Sequence, residues 1–117
     1  MRGDHILESC FVGMESATAT GAAAIAKTVA PGKRWVLLEV RLHLSAAGGT
    51  GNFTATMDAG AGAAYDCVLL TQDMSAATDV HWQPTRPIVF SATDELDFEY
   101  VNTNASTYGL EVIYGLV

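Results

Sequence analysis

From Arg34 to Val117 the chain is a series of short segments in which apolar and polar residues alternate, broken by turn-forming residues roughly every eight to twelve positions. In RWVLLEVRLHL, Val36, Leu38, Val40, Leu42 and Leu44 fall on one face, while Glu39, Arg41 and His43 fall on the other. A two-residue period is what a strand with one buried face requires, because successive side chains point to opposite sides of a sheet. The same period places Phe53, Ala55 and Met57 on one face of NFTATMD, and Leu96, Phe98 and Tyr100 on one face of LDFEY. In YGLEVIYGL it groups Tyr108, Leu110, Val112, Tyr114 and Leu116. The pattern predicts an all-β, single-domain antiparallel β-sandwich, jelly-roll-like, with about eight or nine strands and no helix.

The first third has a different texture. ESCFVGMES reads as a short strand with Cys10, Val12 and Met14 on one face. The following ATATGAAAIAKTVA is rich in alanine, yet Thr18, Thr20, Ile25, Thr28 and Val29 are β-branched, and Gly21 costs about 1 kcal/mol in a helix interior. An extended segment, pairing at a sheet edge or crossing a neighbouring subunit, is therefore expected over a short helix. Pro31-Gly32 marks a turn, since proline presets φ and glycine accepts the positive φ that a type II turn needs. Residues 1–30 are thus expected to form an extended N-terminal arm or edge segment, with the sandwich domain at 31–117. Pro84 and Pro87 suggest an edge position, because proline cannot donate to a ladder.

Composition narrows the functional classes. Of 117 residues, 50% are hydrophobic and 16% charged, enough for a core and too few charges for disorder. So apolar a small domain is expected to cover part of its surface with a partner, most simply copies of itself. The net charge of −7 and the lack of a basic cluster beyond Lys33-Arg34 argue against direct nucleic-acid binding, which needs cations to neutralise phosphates. No apolar run reaches membrane-spanning length, and the N-terminus lacks the apolar stretch of a secretory signal, so synthesis in a cytoplasm and no membrane association are expected. In such a compartment Cys10 and Cys67 are expected to be reduced, buried core thiols.

Candidate chemistry is sparse. His5, His43 and His81 are isolated, without the close spacing by which alternate residues of a strand converge on a metal. Asp94, Glu95, Asp97 and Glu99 lie at a turn and on the polar face of a strand, the ordinary place for solvated carboxylates. Asp58 and Asp66 flank a Gly/Ala loop without the dense spacing of a calcium loop. No nucleophile elbow or phosphate-binding loop is present. The expectation is no enzyme, no cofactor and no metal. Trp35 and Trp82 could stack on a sugar ring, and Trp35 falls opposite the core face of its strand, which a subunit contact explains equally well. Phe11, Ile25, Trp35, Leu37, His43 and Trp82 are the candidate subunit or partner contacts.

Three stretches, VAPGKRWVLLEVRLHLSAA (29–47), NFTATMDAGAGAAYDCVLLTQDMSAATDV (52–80) and DELDFEYVNTNASTYGLEVIY (94–114), resemble small all-β virion proteins of tailed bacteriophages. The turn and acid leading into a strand at Ser91–Leu96 are similar to jelly-roll modules of the tumour-necrosis-factor-like kind, which commonly trimerise. The resemblance implies a virion location and a capsid decoration (cement) protein, assembled as a homotrimer on the phage major capsid protein. A carbohydrate-binding or connector module of a phage tail or fibre is the alternative it leaves open.

Overall fold

The computed structural model describes residues 13–117, and among them nine strands form two antiparallel sheets packed as a sandwich. The strands are β1 (Gly13–Gly21), β2 (Ile25–Val29), β3 (Trp35–Leu44), β4 (Asn52–Asp58), β5 (Cys67–Asp73), β6 (Asp79–Trp82), β7 (Ile88–Phe90), β8 (Glu95–Tyr100) and β9 (Tyr108–Leu116). The first sheet runs β1-β9-β3-β6, with β7 also paired to β3, and the second runs β2-β8-β4-β5. The chain crosses between sheets at β1/β2, β2/β3, β3/β4, β5/β6, β7/β8 and β8/β9, which gives the expected jelly-roll-like order. A single 3-10 turn, Ala63–Tyr65, interrupts the β4–β5 loop.

Unbroken alternation fills the core from β4, β8 and β9. Phe53, Ala55, Leu96, Phe98, Tyr100, Tyr108, Leu110 and Val112 are buried, and Phe53 stacks on Phe98 across the second sheet with centroids 5.9 Å apart. Burying one large apolar side chain is worth roughly 1.5–3 kcal/mol, so this inner layer is the main source of stability.

β3 departs from the expected pattern. Its register against β9 jumps between Leu37, opposite Tyr114, and Glu39, opposite Ile113, leaving Leu38 as an extra residue. Such a bulge reverses which side chains face inward on either side of it. Val40, Leu42 and Leu44 face the core as expected, but before the bulge it is Trp35 and Leu37 that do so. Trp35 therefore belongs to the interior, not to the outer face. Val36 and Leu38, expected in the core, lie outside its buried cluster. Opposite this stretch the neighbouring edge is also broken: β6 ends at Trp82 beside Val40, and β7 begins at Ile88 beside Leu37. Pro84 and Pro87 occupy that gap, where no ladder hydrogen bond is asked of them.

Residues 13–29 are strands of the sandwich. β1 pairs with β9 over nine positions, from Gly13 opposite Leu116 to Gly21 opposite Tyr108, and β2 pairs with β8. Of the arm or edge segment expected over 1–30, residues 13–29 thus form two edge strands, one in each sheet. The part of it before Gly13, including Phe11 and Cys10, lies outside the described residues. Cys67 is exposed on edge strand β5 and is not a core thiol.

Two loop contacts lock the ends of the sandwich. The Asp94 carboxylate accepts the N–H of Ser91 at 2.9 Å within its own turn and the N–H of Gly60 at 3.0 Å from the β4–β5 loop. Gly60 sits so close to this turn that a Cβ there would lie 2.2 Å from Thr93 Oγ1. At the other pole, buried Asn102 adopts a positive φ of 53°, donates to the carbonyls of Ala23 and Ser106, and accepts the Ser106 N–H.

Candidate contact surface

The outward face of the first sheet carries a connected group of charged and polar side chains. Past the bulge, alternation sends Arg41 and His43 of β3 outward, beside His81 and Asp79 of β6 and Glu111 of β9. Arg41 bridges two acids: its Nε donates to Glu39, and its Nη1 donates to Glu111 at 2.9 Å. Glu39 also pairs with His81 Nε2 at 2.8 Å, and His43 Nδ1 lies 2.6 Å from Asp79. The hydrogen bond from Arg41, with further ones from His81 and Gln83, holds the Glu39 carboxyl below its ordinary value. The bond to His43 does the same for Asp79.

A shallow depression of about 480 Å3 lies over this group, walled by Thr18 and Thr20 of β1 on one side and by His43, Asp79 and His81 on the other. Gly109 makes its floor. This residue stands between Thr20 and His43 in the sheet and contributes no side chain, so the surface dips there. The Arg41 guanidinium is already matched by two carboxylates, those of Glu39 and Glu111. Because Arg41, His43 and Asp79 are largely exposed, solvent screens these pairs and they add little to stability. Among the described residues no three His, Cys, Asp or Glu side chains gather as metal ligands, and no helix is long and apolar enough to cross a membrane.

Toward the other pole the same face turns apolar. Met14, Gly115, Val36 and Val89 are register partners in one row across four strands, with Ile113 and the bulged Leu38 nearby. Met14 is 62% and Val89 52% exposed. An apolar stretch bordered by paired charges is the arrangement found where proteins meet proteins, an apolar centre inside a polar rim.

The six residues expected to make contacts are scattered by the fold. Trp35 and Leu37 are 0% and Ile25 2% exposed, so none of the three presents a surface to a partner. Trp35 stacks on Phe90 and meets the edge of Tyr114, which also leaves its face closed to a sugar. Trp82 faces inward beside Val40 and packs against the core, half-buried. His43 stands on the outer face. Phe11 lies outside the described residues. Asp79, Glu111, Thr18, Thr20 and the Met14–Val89 row were not singled out by sequence, because only the strand order brings β1, β9, β3 and the β6–β7 edge side by side.

No family model matches the chain, and no curated protein matches it. Among solved structures, the crystal structure of the Drosophila NLP core, described for pentamer formation and histone binding, is similar at a TM-score of 0.44 and 11% identity. The match covers 86% of this chain and 96% of that one. A likeness this distant carries no argument about what the chain does.

Proposed function

We propose that the chain is a non-enzymatic structural protein of a tailed-phage particle, a capsid-binding cement or decoration protein that stabilises the head through contacts between subunits. The observation that supports this reading is the outer face of the first sheet, where exposed Met14 and Val89 stand at the two ends of an apolar row whose middle, Val36 and Gly115, is buried, next to paired side chains. Such a face gains by being covered: apolar area leaves water while few unpaired charges are desolvated. Its partners are copies of itself, with a trimer expected from the virion resemblance, and the major capsid protein. Many identical weak contacts on an icosahedral shell then sum through avidity. The protein is made in the bacterial host cytoplasm and resides in the virion.

Electron microscopy of purified particles tests the reading directly. Hundreds of copies on the head support it, and a handful on the tail or fibre favours a connector or glycan-binding module. Absence from particles overturns both. A second test replaces Met14 and Val89 with aspartate, which should reduce occupancy on shells without unfolding the sandwich. Truncation is informative only up to residue 12, since cutting to residue 30 removes β1 and β2 themselves.

A further inference from the structure

The four edges of the sandwich are not treated alike. β2 is five residues long and turns Lys27 inward opposite Phe98; β5 is bulged at Leu69 against β4; β6 and β7 are interrupted by a segment holding Pro84 and Pro87. Shortness, inward charges, bulges and prolines are the devices by which sheets avoid pairing edge to edge. β1 has few of them. It keeps register with β9 over nine residues without a break, has no proline or lysine, and carries one charge, Glu15, near its start. Among the described residues no strand lies along its other side. Its outer backbone donors and acceptors form an open template of full strand length.

We propose that this edge pairs with the same edge of a second copy, antiparallel about a two-fold axis at Ala17. The occupant follows from self-complementarity. The register that overlaps all nine residues puts Ala17 opposite Ala17, Ser16 opposite Thr18, Glu15 opposite Ala19 and Met14 opposite Thr20. The two Glu15 carboxylates are thus never opposed, whereas an axis at Glu15 would set like charges face to face, which is destabilising. Ser–Thr pairs flank the axis on both sides, and exposed Met14 gains a neighbour in Thr20 of the other copy. The contact is isologous, so each strand satisfies the other in the same way and the two first sheets become one. In a trimeric protein it would join one trimer to the next. The inference holds whatever the particle is, because it uses only the edge.

Sedimentation of the full chain over a range of concentrations should show reversible self-association. In a Cys10→Ser/Cys67→Ser background, Ala17→Cys should cross-link copy to copy under mild oxidation, since facing residues of an antiparallel pair lie within disulfide reach. Ala19→Cys, which faces Glu15, should not. Ser16→Lys/Thr18→Lys sets lysines opposite each other and should weaken association at least about tenfold. Ser16→Glu/Thr18→Lys, with the same bulk but opposite charges facing, should retain it. Circular dichroism melts establish that each variant is folded. Three results would overturn the proposal: no cross-link from folded Ala17→Cys, association indifferent to Ser16→Lys/Thr18→Lys, or a monomeric full chain that associates only once residues 1–12 are removed. The last would mean that the chain's own start covers the edge.

Discussion

Trp35 lies against Phe90 with ring centroids 4.2 Å apart and planes 16° from parallel, joining the start of β3 to the end of β7. The Leu38 bulge makes this stack possible by turning Trp35 inward. Its indole N–H has no acceptor among the described residues, an uncompensated cost that the packing of the ring must exceed.

Trp35→Ala should therefore lower stability by about 3–5 kcal/mol, the usual range for emptying a large aromatic site. Trp35→Phe keeps a ring against Phe90 and removes the unpaired donor, so it should cost much less. Urea unfolding of both variants checks the claim, and equal losses would show that the stack is not what matters.

Asn102 ties the β8–β9 loop to the β1–β2 turn through its 2.9 Å bond to the Ala23 carbonyl. Asn102→Ala should cost about 2–4 kcal/mol, combining buried carbonyls left unpaired with a positive φ that alanine resists. Asn102→Gly relieves the backbone but not the lost bonds, and should recover about 1 kcal/mol of that in the same assay.

Acid should loosen the opposite pole. The N–H groups of Gly60 and Ser91 hold the Asp94 carboxyl below its ordinary 3.8. A carboxyl lowered by folding contributes stability that is complete above its unfolded value and is lost as pH falls through the folded one. Stability should thus decline below about pH 4, and Asp94→Asn should flatten that decline while lowering the plateau at neutral pH. Melting temperatures between pH 2 and 7 decide it; an unchanged acid limb would assign the loss to other carboxylates, with Asp79 and Asp73 the next to replace.

Cys67 should react with a maleimide in the folded protein at a rate close to that of a free thiol, because it is exposed on edge strand β5. Protection until denaturant is added would mean that β5 is covered in solution.

These residues also show what pattern alone could and could not convey. Faces of β4, β8 and β9 were legible because their alternation runs unbroken, and the fold class followed from them. β3 was misread at its start: Leu37 and Leu38 are equally apolar, so nothing in composition marks which of them is the inserted residue. That one insertion moved Trp35 and Leu37 from candidate contacts to core. Ile25 was misjudged for another reason, since an Ala/Thr-rich segment gives little sign of which side it buries until its pairing with Tyr100 is known. The outer face of the first sheet was illegible because it joins residues from opposite ends of the chain, as Thr18 beside Glu111 illustrates.

Gly13 stands across from Leu116, so the polypeptide enters and leaves the described fold side by side. Tags, extra modules or anchoring peptides attached ahead of β1 or behind β9 would all emerge from a single pole, leaving the turns around Ala23, Asn104 and Met74 clear at the other. A brief linker could close this pair of ends into a circle, and the molecule could then be cut open at a distant turn without changing which strands meet.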